Sequence, residues 1–134
     1  MRLRDLLNYD NIVIQCHDNP DADTIACGFG VYLYLKSKGK EARLVYGGQN
    51  VIRKSNLVMM VQELHIPLVH VDYLRKPELL VMVDCQYRSG NAAVFEADNI
   101  AVIDHHRISS ELPEMSAVNS KLGACSTLIW KMLK

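Results

Sequence analysis

The sequence predicts an α/β domain, a mostly parallel sheet flanked by helices, folded as a single domain. Three observations carry that expectation. Apolar runs four to six residues long, bounded by polar residues, read as buried strands. Between them lie segments whose apolar residues recur at helical spacing, which gives the βαβα order of a parallel sheet. The chain has 134 residues, 49% of them hydrophobic, which suits one compact core.

In chain order, residues 2–9 carry Leu3, Leu6 and Leu7 on one side and read as a short amphipathic helix. Residues 12–16 form the first strand. Residues 24–38 place Ile25, Phe29, Tyr32 and Leu33 at helical spacing, with Gly39 closing the helix. Gly28 and Gly30 inside it each cost about 1 kcal/mol relative to Ala, so close packing onto the sheet is expected there. A second strand at 41–46, a helix at 55–64 and a short strand at 68–71 follow. Next come a polar turn at 75–77, strands at 79–83 and 100–103 around an irregular stretch at 86–91, and a loop at 108–114. A strand at 115–118 and a closing helix at 123–133 complete the order.

Composition excludes several roles. Lys plus Arg number 15 and Asp plus Glu 15, so there is no general basic field, and stable binding to duplex nucleic acid is not expected. No apolar run approaches the roughly 20 residues that cross a bilayer, and residues 1–5 lack a signal peptide's apolar segment, so the expected location is cytoplasmic. Cys16, Cys27, Cys85 and Cys125 are scattered and form no CxxC pair, which predicts reduced thiols in a core.

The chemistry concentrates after three of the strands. His17-Asp18-Asn19-Pro20-Asp21-Ala22-Asp23 follows the first, Asp84 follows the run 79–83, and Asp104-His105-His106 follows the run 100–103. Ligands of open α/β sheets collect outside the carboxyl ends of the strands, so these three segments are expected to share one crevice. Pro20 keeps Asn19 out of the helical region, so a turn folds His17, Asp21 and Asp23 around a strand end. Imidazole with several carboxylates is a donor set for a divalent cation such as Mn²⁺, and it also admits Mg²⁺, Fe²⁺, Co²⁺ or Zn²⁺. Asp21, Asp23 and Asp84 crowded together would repel one another, and two dications would compensate them. The competing reading, that Asp21 or Asp23 only caps the helix near Thr24, loses weight beside the other two segments. Asp104 is read as a carboxylate that orients an imidazole, and Arg107, Arg88 and Lys121 as cations near substrate phosphate, with Arg107 preferred. His65 and His70 lack such companions and are read as structural.

These segments, in this order, resemble the DHH family of metal-dependent phosphoesterases, whose members include RecJ-type exonucleases, nano-RNase and pAp phosphatases, cyclic-di-AMP phosphodiesterases and, more distantly, family II inorganic pyrophosphatases. The small-residue run Gly123-Ala124-Cys125-Ser126-Thr127 is similar to a helix opening in that family. The resemblance implies one cation held by His17, Asp21 and Asp84 and a second held by Asp23, Asp84 and His105, with Asp84 as bridge and His106 on the scissile phosphate. It also implies a further aspartate and a second, substrate-gripping domain past Lys134, which this sequence does not contain. The expected activity is Mn²⁺-dependent hydrolysis of small nucleotides or short oligonucleotides, with a homodimer an open expectation for its assembly. Two rivals stand beside it: a non-catalytic metal- or nucleotide-binding module, and an inorganic pyrophosphatase.

Overall fold

The computed structural model describes residues 1–108 and 111–134; Ser109 and Ser110, which fall inside the expected loop 108–114, lie outside the described residues. Among the described residues there are six strands: β1 (Ile12–Cys16), β2 (Ala42–Tyr46), β3 (Leu68–His70), β4 (Leu79–Val83), β5 (Asn99–Asp104) and β6 (Met115–Val118). They form one sheet in the order β3-β2-β1-β4-β5-β6, and every neighbouring pair is parallel. β1 and β4 are buried along their whole length and apolar except for Gln15, as suits parallel strands covered on both faces. Three helices accompany them: α1 (Ala22–Ser37), α2 (Ser55–Glu63) and α3 (Cys125–Leu133).

Local chemistry adjusts the predicted boundaries. The N-terminal segment is a 3-10 helix over Leu3–Asn8, closed by the Tyr9 N–H on the Leu6 carbonyl, because six residues give too little length for an α-helical ladder. α1 starts two residues earlier than predicted because Asp21 is its N-cap, accepting the Thr24 N–H at 2.9 Å. α3 starts two residues later than predicted, Ala124 remaining extended at φ −148° and ψ 144°.

The sheet has two unlike faces. On one, α1, α3 and Leu57 of α2 pack over Ile12, Ile14, Leu44, Val81 and Ile103. On the other, Val13, Val45, Leu80, Met82 and Val102 are covered by irregular chain through Leu74, Tyr87, Ala92, Phe95 and Leu112. The predicted wrapping by helices is therefore one-sided. The segments on either side of β4, 71–78 and 84–98, contain Pro77, Gly90 and Asn91 and no helical apolar period, so they cover the sheet as loop. All four cysteines are free and buried, as their spacing predicted. No helix of the described residues is long and apolar enough to cross a membrane.

Strand order positions the site. From β1 the chain winds outward through β2 and β3, then returns to β4 on the other side of β1 and proceeds through β5 and β6. Order reverses between β1 and β4, and ligands of this architecture bind at that switch point. The register pairs Gln15 with Met82 and Val83 with Ile103, so β1, β4 and β5 end at one level. His17, Asp84 and Asp104 thereby emerge along one short edge.

The glycines of α1 mark its close approach. A Cβ on Gly28 would stand 2.6 Å from Leu44 Cδ1 and 3.1 Å from Cys16 Sγ, and one on Gly30 would stand 2.9 Å from Ile129 Cγ2 of α3. Gly28→Val is therefore expected to destabilise the fold by about 2–3 kcal/mol. Urea denaturation measures this, and an unchanged midpoint would mean that α1 does not sit this close to the sheet.

Candidate metal centre

Asp84 is the centre of the site. It leaves β4 in the left-handed region at φ 61°, a conformation Asp tolerates better than most residues but which still carries strain of about 1 kcal/mol. Its N–H donates to the Ile103 carbonyl at 2.9 Å, which anchors the turn to β5. The carboxylate is 2% exposed, and its two oxygens face different imidazoles. His17 Nε2 lies 3.4 Å from Oδ2, and His105 Nε2 lies 2.9 Å from Oδ1.

The other ring nitrogens decide what those contacts are. His17 Nδ1 sits 2.8 Å from the Asp18 carbonyl and His105 Nδ1 sits 3.1 Å from the Leu122 carbonyl. A carbonyl only accepts, so each Nδ1 carries the hydrogen and each Nε2 is the ring atom turned toward Asp84. An Nε2 facing a carboxylate oxygen is stabilised by a cation between them, either a proton or a metal ion. Asp84 Oδ1 is a buried oxygen that accepts no hydrogen bond among the described residues. A divalent cation fits this donor set, because neutral imidazole and carboxylate are its customary ligands.

Asp21 joins the first side of the centre, with Oδ1 3.7 Å from His17 Nε2. His17, Asp21 and Asp84 offer ligand atoms within 4.8 Å of one another, and so do Asp84, Asp104, His105 and His106. The two groups share Asp84. Burial alone would lower the His17 pKa, but the hydrogen bond to Asp84, the Asp18 carbonyl and the charges of Asp21 and Asp84 outweigh it and push it up to about 9.

Asp23 differs from the expectation of a plain metal ligand. Its Oδ2 is 3.7 Å from His105 Nε2, yet both its oxygens also accept α3 backbone amides, from Cys125 on Oδ2 and Ser126 on Oδ1, each at 2.9 Å. Burial would raise its pKa. The amides of Ser126 and Cys125, the Ser126 side chain and His105 outweigh that and hold it below the usual carboxylate value. Asp23 thus holds the first turn of α3 against the centre. Asp21 likewise caps α1 while reaching His17, so capping and cation contact belong to the same carboxylates.

Asp104 is buried, and Oδ1 accepts both the His105 N–H at 2.8 Å and His106 Nδ1 at 2.7 Å. Its Oδ2 accepts from Gln86 Nε2 at 3.0 Å, and the same nitrogen reaches the Arg107 carbonyl at 3.2 Å. His106, half exposed, is thereby fixed with Nε2 as its remaining polar atom. It borders a hollow of about 260 Å³ together with Gln86, Ser89, Asn91 and Arg107. Arg88 does not line that hollow; its guanidinium lies 5.3 Å from the Tyr87 ring centroid. Lys121 is exposed, with its N–H on Asn119 Oδ1.

Gln86 and Asp18 escaped sequence reasoning. Gln86 stands in an irregular stretch with no periodic or motif signal. Asp18, read only as part of the loop, ties that loop to the chain after β4: Oδ1 accepts the Ala93 N–H and its own N–H donates to the Asn91 carbonyl, both at 2.9 Å. Gly48 leaves room for Asp18, since a Cβ there would stand 2.9 Å from Oδ2. His70 Nε2 bonds the Gly48 carbonyl at 2.7 Å and its ring meets Tyr46 edge-on, whereas His65 is exposed after α2. The thiols of Cys16 and Cys85 turn to backbone carbonyls, of Thr24 at 3.3 Å and Val83 at 3.4 Å, and burial above all pushes the Cys16 thiol up to about 12 and raises Cys85 as well.

Fold and site together define a class: a doubly wound α/β domain with an imidazole-carboxylate centre at its switch point. The chain belongs to the DHH family, whose N-terminal domain profile matches residues 11–134. Among curated proteins it is 26% identical over 126 residues to a probable manganese-dependent inorganic pyrophosphatase of Enterococcus faecalis, matching 92% of this chain and 41% of that protein. It is 28% identical over 124 residues to the cyclic-di-AMP phosphodiesterase GdpP of Geobacillus thermodenitrificans, matching 84% of this chain and 19% of that one. The chain thus spans less than half the length of these relatives. An exopolyphosphatase-related protein of Bacteroides fragilis shares the fold, with a TM-score of 0.73 at 16% identity over 98% of this chain and 42% of that one.

Two outcomes test the site. In metal-free protein, Asp23→Ala is expected to lower stability by about 1–2 kcal/mol in urea denaturation, the cost of an uncapped helix, whereas a residue serving only as a metal ligand would show no such loss. Second, metal and proton compete for the Nε2 lone pair of His17. Mn²⁺ affinity measured by calorimetry should therefore rise with pH up to about 9 and binding at pH 7 should release protons, with His17→Gln flattening the climb above pH 7.5. An affinity independent of pH would remove His17 from the centre.

Proposed function

We propose that this chain is the metal-binding part of a phosphoesterase that hydrolyses small nucleotides or short oligonucleotides, using two divalent cations of which Mn²⁺ is the first choice. One observation carries the reading: the two oxygens of a single buried carboxylate, Asp84, each face the Nε2 of a different imidazole. His17, Asp21 and Asp84 Oδ2 would hold one ion, and His105 with Asp84 Oδ1 the other, with Asp23 beside it. Such a pair, when bound, supplies Lewis acidity toward phosphate oxygens and a hydroxide at neutral pH.

The protein's own groups do the positioning. Asp104 holds His106 by Nδ1, so that Nε2 is free to meet a phosphate oxygen at the rim of the neighbouring hollow. Gln86 holds Asp104 and the backbone carbonyl of Arg107, a residue that lines the same hollow. The buried floor under Asp84 excludes water from the side away from substrate, which strengthens each charge contact.

The names of the relatives support hydrolysis of phosphorus–oxygen bonds and the choice of manganese. The pyrophosphatase among them keeps inorganic pyrophosphate as a second reading of the substrate. Comparing phosphate release from pyrophosphate, pAp and a dinucleotide with Mn²⁺ present separates the readings; retained metal binding without hydrolysis of any would favour a binding module. Mn²⁺ should raise the Tm through linkage, and Asp84→Ala is expected to abolish that rise and to lower any hydrolysis by roughly 10³-fold. An undiminished Tm rise in Asp84→Ala would end the proposal.

A further inference from the structure

We infer that Asp18 is a positioning residue for the metal centre: standing outside the ligand set, it fixes the spacing of His17 and Asp84 by clasping together the two loops that carry them. The inference rests on the reading of the site as a cation centre and names a residue beyond it on which the affinity for the cation depends.

His17 and Asp84 come from different strands. His17 opens the loop after β1 and Asp84 opens the long loop 84–98 after β4, and their facing atoms stand 3.4 Å apart. The paired register of β1 and β4 ends at Gln15 and Met82, so past it the spacing depends on what joins the loops. Asp18 joins them twice: its N–H donates to the Asn91 carbonyl and its Oδ1 accepts the Ala93 N–H, both at 2.9 Å. Gln15 Nε2 donates to the Ala93 carbonyl at 2.8 Å, so both backbone polar groups of Ala93 are held from β1 and its loop. The Asp18 carbonyl in turn receives His17 Nδ1 at 2.8 Å. The residue that grips the far loop therefore also orients the imidazole, as partners behind a ligating histidine do.

The surroundings are shaped to this clasp. A Cβ on Gly47 would stand 2.7 Å from Ala93 Cβ, and one on Gly48 would stand 2.7 Å from Asp18 Cγ. Gly48 also has φ +86°, where glycine is at ease and other residues are strained. His70 Nε2 bonds the Gly48 carbonyl at 2.7 Å and holds that turn in place. On the other side of Asp18, Asn19 has φ 49° directly before Pro20, and its Oδ1 accepts Asn50 Nδ2 at 3.0 Å. Among the described residues, Asp18 belongs to neither group of side chains whose ligand atoms converge, so its part is geometric.

The test measures Mn²⁺ affinity by calorimetry, together with the Tm of the metal-free protein. Asp18→Ala removes the side-chain half of the clasp and is expected to weaken Mn²⁺ binding about 10- to 100-fold, with the metal-free Tm close to that of wild type. Asp18→Asn loses the charge but keeps an oxygen that accepts the Ala93 N–H, so its affinity should stay within about threefold of wild type. Gly48→Ala crowds the carboxylate without changing its charge; it should repeat the loss, and it carries the test if Asp18→Ala does not fold. Unchanged affinity in Asp18→Ala overturns the inference. So does an equal loss in Asp18→Asn and Asp18→Ala, since charge and not the clasp would then set the affinity; both results leave the metal centre standing. Absence of any Mn²⁺-dependent Tm rise in wild type overturns the metal-centre reading and this inference with it.

Discussion

Everything in the site depends on one electrostatic constraint, a buried carboxylate set between two imidazoles that both turn Nε2 toward it. The negative charge of Asp84 is shut away from water, so it needs a proton or a metal ion between it and those rings. The backbone contributes to the same tension, since Asp84 sits in a left-handed conformation at the end of a buried strand. Such strain persists only when the surroundings over-determine it, and here β1 and β5 do so on either side. The rest of the crevice can be understood as scaffolding for that carboxylate and its two rings.

The scaffolding works by giving acidic groups two tasks. Asp21 caps α1 and approaches His17; Asp23 accepts the first amides of α3 and approaches His105. A helix N-terminus carries partial positive charge, so each carboxylate is stabilised before any metal arrives. The centre is thereby coupled to the packing of both helices, and α1 reaches the sheet closely only because Gly28 has no side chain.

The two faces of the sheet divide the labour. Helices on one face supply the rigid core that aligns the ends of β1, β4 and β5. Irregular chain on the other face carries Gln86, Ser89 and Asn91 into the hollow beside His106, where loops tolerate substrate contact better than helices do. Asp18 fastens that irregular chain to the loop after β1, so two hydrogen bonds tie the two walls of the crevice together.

By itself the sequence determined the strands, most of the helices and the candidates His17, Asp21, Asp23, Asp84, His105 and His106, whose side chains the fold brings close together. Hydrophobic period and apolar run length are properties of neighbouring residues, and acidic-imidazole clusters after such runs can be read in the same local way. Strand order was not local: nothing in residues 12–16 or 79–83 says that they are neighbours, yet that pairing creates the switch point. Only the tertiary structure made Gln86 the partner of Asp104, joined Asp23 to a helix a hundred residues away, and stripped the sheet's second face of helices. Those features arise from side chains satisfying buried polar groups across long loops, and such closure leaves no period or spacing in the sequence to read.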